Sequence, residues 1–193
     1  MFPELLRARL SGILDLSPGQ IAALDAHYQL LLRWNQTLNL TRIESLEEAV
    51  ERHYCESLFL AAHLPPGALR IADLGSGAGF PGFPVAIARP DCQIALVESH
   101  QRKAVFLRES TRGLANVRVL GQRAETLRDT FDHVVSRAVS YRDLAPTLAR
   151  VASHVDLLTG VEPPPESMAI EWQPPIALPW GNSRVLRLGR RRS

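Results

Sequence analysis

The chain has 193 residues, 46% of them apolar and 22% charged, with a net charge of +2. That balance fits a soluble globular protein, one domain with an extension, and excludes a disordered or fibrous chain. No apolar run approaches the roughly twenty residues that span a bilayer, and the N-terminus lacks a signal peptide's apolar core, so a cytoplasmic protein is expected.

In chain order, residues 4–14 repeat apolar positions at helical spacing. Ser17-Pro18-Gly19-Gln20 reads as a cap, a first-turn proline and a capping-box glutamine, opening a second helix that runs to about Trp34. Ser45-Leu46-Glu47-Glu48 is another capping box, for a helix through His53 and Ser57 to about His63 that Pro65-Pro66-Gly67 ends. Residues 1–66 therefore read as a helical extension and residues 67–193 as a sheet domain.

From Leu69 strands alternate with helices: strands over 69–74, 93–98, 117–121, 132–136 and 154–158, helices over 81–89, 101–113 and 141–152. Such alternation implies an α/β fold with a Rossmann-like, doubly wound parallel sheet, whose ligand site lies at the carboxyl ends of the strands. Met168–Trp172 and Arg184–Leu188 are β-like runs around a proline-rich segment, expected as an antiparallel hairpin at one sheet edge. Arg190-Arg191-Arg192 is expected to be a solvated tail.

The chain is organised around residues 69–84, where a short apolar run meets Gly75, Gly77 and Gly79 and then a helix start at Pro81. Glycines there let backbone N–H groups approach a ligand, and the helix adds its positive end. A spaced-glycine turn alone also suits a dinucleotide or an ordinary connection. Asp73, two residues earlier, adds a carboxylate that a pyrophosphate would not want but a cationic ligand with an amino-acid end would, which favours S-adenosylmethionine.

Glu98 ends the second strand, where a carboxylate in a nucleotide-binding sheet accepts ribose hydroxyls. Ala124-Glu125 follows the third strand and could touch the adenine. Arg137, just past the fourth strand, is read either as a sheet-edge ion pair or, preferred, as a clamp on substrate and cofactor. His53 and His133 read as satisfied structural residues, and six scattered histidines make no metal cluster. Cys55 and Cys92 fit buried free thiols rather than a disulfide or a zinc site. All but one of the 22 basic residues are arginine, which suits RNA and equally a GC-rich genome.

The loop after the fourth strand has no nucleophilic cysteine and no Asn-Pro-Pro-aromatic run; Ser136-Arg-Ala-Val139 stands there. That leaves acceptors already nucleophilic, such as a ring nitrogen. In-line displacement onto a lone pair needs no general base, so catalysis is positioning and electrostatics.

As a set, Trp34-Asn-Gln-Thr-Leu-Asn-Leu-Thr41, Arg52-His53 with Ser57, Asp73 through Pro84, Glu98-Ser99 with Arg102-Lys103, Arg123-Ala-Glu125 and Ser136-Arg-Ala138 resemble the ribosomal RNA small-subunit methyltransferase G family, also called glucose-inhibited division protein B. The resemblance runs over residues 30–160 in one continuous order. It implies a class I S-adenosylmethionine-dependent methyltransferase that methylates guanine N7 in 16S ribosomal RNA, as a monomer acting on the RNA or the small ribosomal subunit without membrane or metal. Matched by motif, Gly75 and Phe80 belong to the cofactor turn with Asp73, Gly77 and Gly79, Glu98 to the ribose, Ala124 and Glu125 to the adenine, and Arg137 to both cofactor and methyl transfer. Asn39 and His53 match an extension that would close over the site. The departure is Leu157-Leu-Thr-Gly160, where the family has an Ala-Leu-Lys-Gly-like turn; Arg142 or Arg184 could stand in for the lysine that Thr159 replaces. The competing expectations are a cofactor- and RNA-binding member that no longer transfers methyl groups, and a methyltransferase acting on small molecules.

Overall fold

The capping box at Ser17 forms as the sequence suggests: Ser17 Oγ accepts the Gln20 N–H at 3.2 Å while Gln20 Oε1 accepts the Ser17 N–H at 2.8 Å, opening α2 (Pro18–Asn35). The structure is a computed structural model describing residues 1–166, 168–181 and 183–192, with only the backbone of Ala149. The first helix, α1 (Phe2–Leu10), stops short of residue 14 because Ser11 turns extended. Ser45 Oγ accepts the Glu48 N–H at 3.1 Å and opens α3 (Leu46–Ala49). The expected single helix to His63 is continuous but changes register: Val50–Cys55 is a π turn before α4 (Glu56–His63) resumes.

The sheet then builds as β1 (Arg70–Leu74), α5 (Gly82–Ala88), β2 (Gln93–Val97), α6 (Gln101–Ser110), β3 (Val117–Leu120), β4 (Phe131–Arg137), α7 (Tyr141–Val151) and β5 (Ala152–Gly160). A short 3₁₀ turn, Ala124–Thr126, lies between β3 and β4. The five strands run parallel in the order β3-β2-β1-β4-β5, so the order reverses between β1 and β4. That switch point is where a doubly wound sheet opens a crevice.

The tail adds β6 (Ile170–Trp172), β7 (Ile176–Ala177) and β8 (Arg184–Arg191). The antiparallel pairing of the two β-like runs is present, but β8 lies inside against β5 and β6 forms the edge. Arg190 and Arg191 are not a free tail: Arg190 pairs with His154 on one side and Glu171 on the other, and Arg191 with Ile170. An open sheet edge offers unpaired backbone groups, and long arginine stems can lie on an exposed sheet face while their charges stay in water.

One sheet face, with Ile71, Ile94, Leu96, Val135 and Leu158, shares a single core with Leu24, Leu31, Tyr54 and Leu58 from the N-terminal helices. The other face, with Ala72, Leu74, Val97, Val134 and Leu157, packs against Leu144 and Leu148 of α7. Cys55 and Cys92 are buried free thiols, and burial pushes the Cys55 thiol up to about 12. No helix is long and apolar enough to cross a membrane among the described residues.

Candidate active site

The turn after β1 is tied down from both sides. Gly75 and Ser76 N–H groups both donate to Val97 O at 3.0 Å, and Ser76 Oγ donates to Asp73 O at 3.0 Å. Gly75 takes φ +72°, and a Cβ there would lie 2.7 Å from Val139 Cγ2, so only glycine fits both the backbone and the space.

Asp73 acts on this turn from beneath. Its carboxylate is fully buried, with Oδ2 accepting the Gly82 N–H at 2.9 Å at the start of α5 and Oδ1 without a partner. Burial pushes its pKa up to about 7. Asp73 is expected to face a ligand's cationic end; here its Oδ2 holds the first N–H of α5. Pro81 accordingly sits one position earlier than expected, as the cap preceding α5.

Glu98 is also engaged with backbone: Oε2 accepts the Gly77 N–H at 2.9 Å and Oε1 the His100 N–H at 2.7 Å. It thereby joins the end of β2 to the glycine turn. Gly79 points elsewhere, since a Cβ there would meet Phe83 and His27 rather than a cavity.

Two cavities flank this turn and share Gly75 and Val139. One, of about 140 Å³, is walled by Leu74, Val97, Ser99, Ala124, Glu125 and Leu144. The other, of about 190 Å³, is lined by His53, Ser76, Gly77, Phe80, Arg137 and Ala138. The first offers apolar walls with a polar rim, suited to a flat heterocycle; the second offers a cation, an aromatic face and turn N–H groups. Residues anticipated for the adenine side and the transfer side thus lie on the two sides of Gly75.

Arg137 sits over Phe80, its guanidinium carbon 5.3 Å from the ring centroid. Its Nη1 donates to Arg52 O and its Nη2 to His53 Nδ1 at 2.6 Å. No carboxylate reaches ion-pair distance of Arg137 among the described residues, and burial lowers its pKa to about 10. His53 stacks on Phe80 with centroids 4.5 Å apart and planes 9° from parallel. Burial first, then the charges of Arg137 and Arg52, depress the imidazole to about 2, so it is neutral.

His133 Nδ1 lies 2.6 Å from Asp156 Oδ2, while His53, which the resemblance placed in the extension over the site, lines the cavity beside Arg137. Asn39 is exposed, while its neighbour in the same motif, Asn35, fixes the loop, accepting the Leu40 and Thr41 N–H groups at 2.7 and 2.9 Å. Arg184 is committed to the buried Glu56, Nε reaching Oε1 at 2.8 Å and Oε2 at 3.0 Å. Arg142 is exposed on the first turn of α7, and Thr159 Oγ1 meets the Tyr141 hydroxyl at 3.4 Å. Sequence reasoning missed Glu56 and also His27, which stacks on Phe83 at 4.1 Å beneath the turn. No group of metal-ligating side chains is poised for an ion among the described residues.

The sequence profile described as rRNA small subunit methyltransferase G matches residues 20–153. The chain belongs to the rRNA small subunit methyltransferase G family. Among its relatives, "Ribosomal RNA small subunit methyltransferase G" of Chromobacterium violaceum is 45% identical over 141 residues, 71% of this chain and 67% of that protein. The protein of the same name from Xylella fastidiosa strain 9a5c is 47% identical over 131 residues, 66% of this chain and 61% of its own length, so the match spans less than two thirds of that relative. The fold recurs in a SAM-dependent methyltransferase from Aquifex aeolicus, with a TM-score of 0.60 at 14% identity over 74% of this chain and 92% of that one. It recurs also in the fibrillarin pre-rRNA processing protein of Methanococcus jannaschii, with a TM-score of 0.58 at 13% identity, covering 70% and 74% of the two chains. The doubly wound, Rossmann-like sheet expected from the strand–helix alternation, and the class I methyltransferase fold that the resemblance implied, are therefore the fold of this family member. The match begins inside α2 and ends at the start of β5, so the family profile includes α3, the π turn and α4 as well as β1 to β4 and α5 to α7.

Proposed function

We propose that this protein transfers a methyl group from S-adenosylmethionine to N7 of a guanine in 16S ribosomal RNA, acting as a monomer in the bacterial cytoplasm, with residues 1–66 as a helical extension of a methyltransferase domain over 67–193. The observation that carries it is the pair of cavities meeting across Gly75, one beside Ala124 and Glu125 and one beneath Arg137 and Phe80. Gly75 supports the cofactor assignment physically, because a side chain there would close the gap to Val139.

When bound, S-adenosylmethionine supplies a methyl group made electrophilic by its sulfonium. Leu74, Val97 and Ala124 would exclude water around the adenine, and Glu125 lies at the rim of that cavity. Glu98 would stand at the ribose while it also braces the glycine turn. Arg137 offers a guanidinium without a carboxylate partner, suited to the carboxylate end of the cofactor, and Phe80 offers a π face to a sulfonium or to a newly cationic guanine. No residue need remove a proton, since N7 attacks with its own lone pair. The neutral, hydrogen-bonded His53 is consistent with that.

The test is transfer of labelled methyl to small ribosomal subunits, and to RNA extracted from them, both from cells lacking the modification. Label at one guanine N7 is expected. Cofactor binding without label on either substrate would instead support a binding protein, a reading for which Thr159 and the commitment of Arg184 to Glu56 are the specific observations.

A further inference from the structure

We propose that His53 is a positioning residue for Arg137: the π turn presents a backbone carbonyl and an imidazole nitrogen, one per terminal nitrogen, and these fix the guanidinium over Phe80. This rests on the proposed methyltransferase reading, in which Arg137 lies on the transfer side.

Both acceptors come from consecutive residues, Arg52 and His53, more than eighty residues earlier in the chain than Arg137. The helix can supply them because of its register. Within Val50–Cys55 the bonding is i to i+5, Glu56 N–H reaching Glu51 O, and the wider turn leaves a lone pair on Arg52 O open to a side-chain donor. Ser57 Oγ, donating to His53 O at 2.5 Å, closes the same segment from its other end.

The imidazole's orientation follows from its partners. A guanidinium only donates, so Nδ1 must accept and Nε2 must carry the proton. Nε2 meets Thr41 Oγ1 at 2.8 Å, and that oxygen also accepts the Ile43 N–H at 3.0 Å. Thr41 is itself held by Asn35, whose Nδ2 donates to Thr41 O at 3.0 Å and whose Oδ1 accepts the Thr41 N–H at 2.9 Å. Stacking on Phe80 fixes the ring plane. Asn35, Thr41, His53 and Arg137 thus form one continuous chain from the α2 terminus to the methyl-transfer side.

Arg137 needs such a hold. It has no carboxylate partner, and Ala138 directly after it takes φ +60°, a conformation a non-glycine residue rarely adopts. A long side chain left free there would sample several rotamers, and a misplacement of about 1 Å at a reacting centre costs on the order of 10²-fold in rate.

The decisive experiment is a double-mutant cycle with His53→Ala and Arg137→Ala, reading methyl transfer and cofactor affinity, beside His53→Asn, which returns an acceptor near the Nδ1 position. His53→Ala should lower turnover by on the order of 10²-fold, His53→Asn should recover much of that loss, and His53→Ala should cost nothing further when Arg137 is already alanine. Additive losses, or equal losses in the Ala and Asn variants, would overturn the proposal. A readout independent of activity is the nitrogen NMR spectrum of Arg137, assigned with Arg137→Lys. Hindered guanidinium rotation in the wild type that survives His53→Asn but not His53→Ala is expected, and free rotation in the wild type would overturn the proposal even if methyl transfer were absent and the enzymatic reading had failed.

Discussion

Asp73 illustrates how a residue legible in the sequence can be doing different work from the work that made it conspicuous. Its Oδ2 caps the N-terminus of α5 while Oδ1 is buried without a partner, and burial raises its pKa to about 7. A raised folded-state pKa means that the folded protein binds the proton more tightly than the unfolded chain, whose carboxyl titrates near 3.9. Its contribution is therefore fully present below the unfolded pKa and lost as pH rises through about 7. Asp73→Asn keeps an acceptor for the Gly82 N–H and removes the titration. The variant's stability relative to wild type should climb between pH 4 and pH 7 by up to a few kcal/mol, at about 1.4 kcal/mol per pKa unit, and then flatten. Denaturant melts of both proteins across that range check it, and a pH-independent difference would show that Asp73 is ionised throughout.

Glu98 carries a second residue-scale expectation, because it accepts the Gly77 and His100 N–H groups as well as standing where ribose hydroxyls are expected. Glu98→Ala should lose roughly 1.5–3 kcal/mol of cofactor affinity, as for hydrogen bonds to a charged acceptor, and should also loosen the turn. Calorimetry of cofactor binding together with a thermal melt separates the two effects. Affinity loss without a melting shift would place Glu98 on the ligand alone, and a melting shift without affinity loss would place it on the turn alone.

At the scale of elements, the caps were legible and the register was not. Ser17 with Gln20, and Ser45 with Glu48, announce helix starts because each needs only a short local pattern of side chains. The π turn has no such signal: Val50–Cys55 differs from an α-helix by one residue in its bonding, and the contacts that use it come from Arg137 on β4. The inner place of β8 was equally hidden, since the chain's two late β-like runs say that they can pair but not which lies against β5. Glu56 and Arg184 help fix that choice by tying β8 to α4 across the sheet end. Glu56 is 2% exposed, so removing its partner strands a buried carboxylate. Arg184→Met should cost about 3 kcal/mol, while Arg184→Met with Glu56→Leu should cost less than the single change, because an apolar pair leaves no charge unpaired. Chemical denaturation of the two variants checks the order, and a double variant less stable than the single one would show that the ion pair itself, not the stranded charge, carries the energy.

For the whole molecule, the strand alternation and the glycine turn were enough to read the fold and the place of the ligand site, because both depend on short segments with strong local chemistry, whereas the cofactor class needed the wider set of motifs that carries the family resemblance. Closure of the site was less legible: Asn35, Thr41 and His53 acquire their roles only where the N-terminal helices pack on the sheet. That packing is extensive. Tyr54, Leu58, Leu24 and Leu31 share one core with Phe80, Phe83, Phe106 and Ile71, and His27 lies between the two groups. Each large apolar side chain exposed by removing the helices forfeits about 1.5–3 kcal/mol, and four or five such losses match the 5–15 kcal/mol by which a domain is stable. The sheet segment 67–193 expressed alone should therefore show no cooperative thermal unfolding, whereas the full chain should melt in one transition. A sharp independent melt of 67–193 would instead make residues 1–66 a separable module, and the chain of contacts from Asn35 to Arg137 would then be a docking interface rather than part of one core.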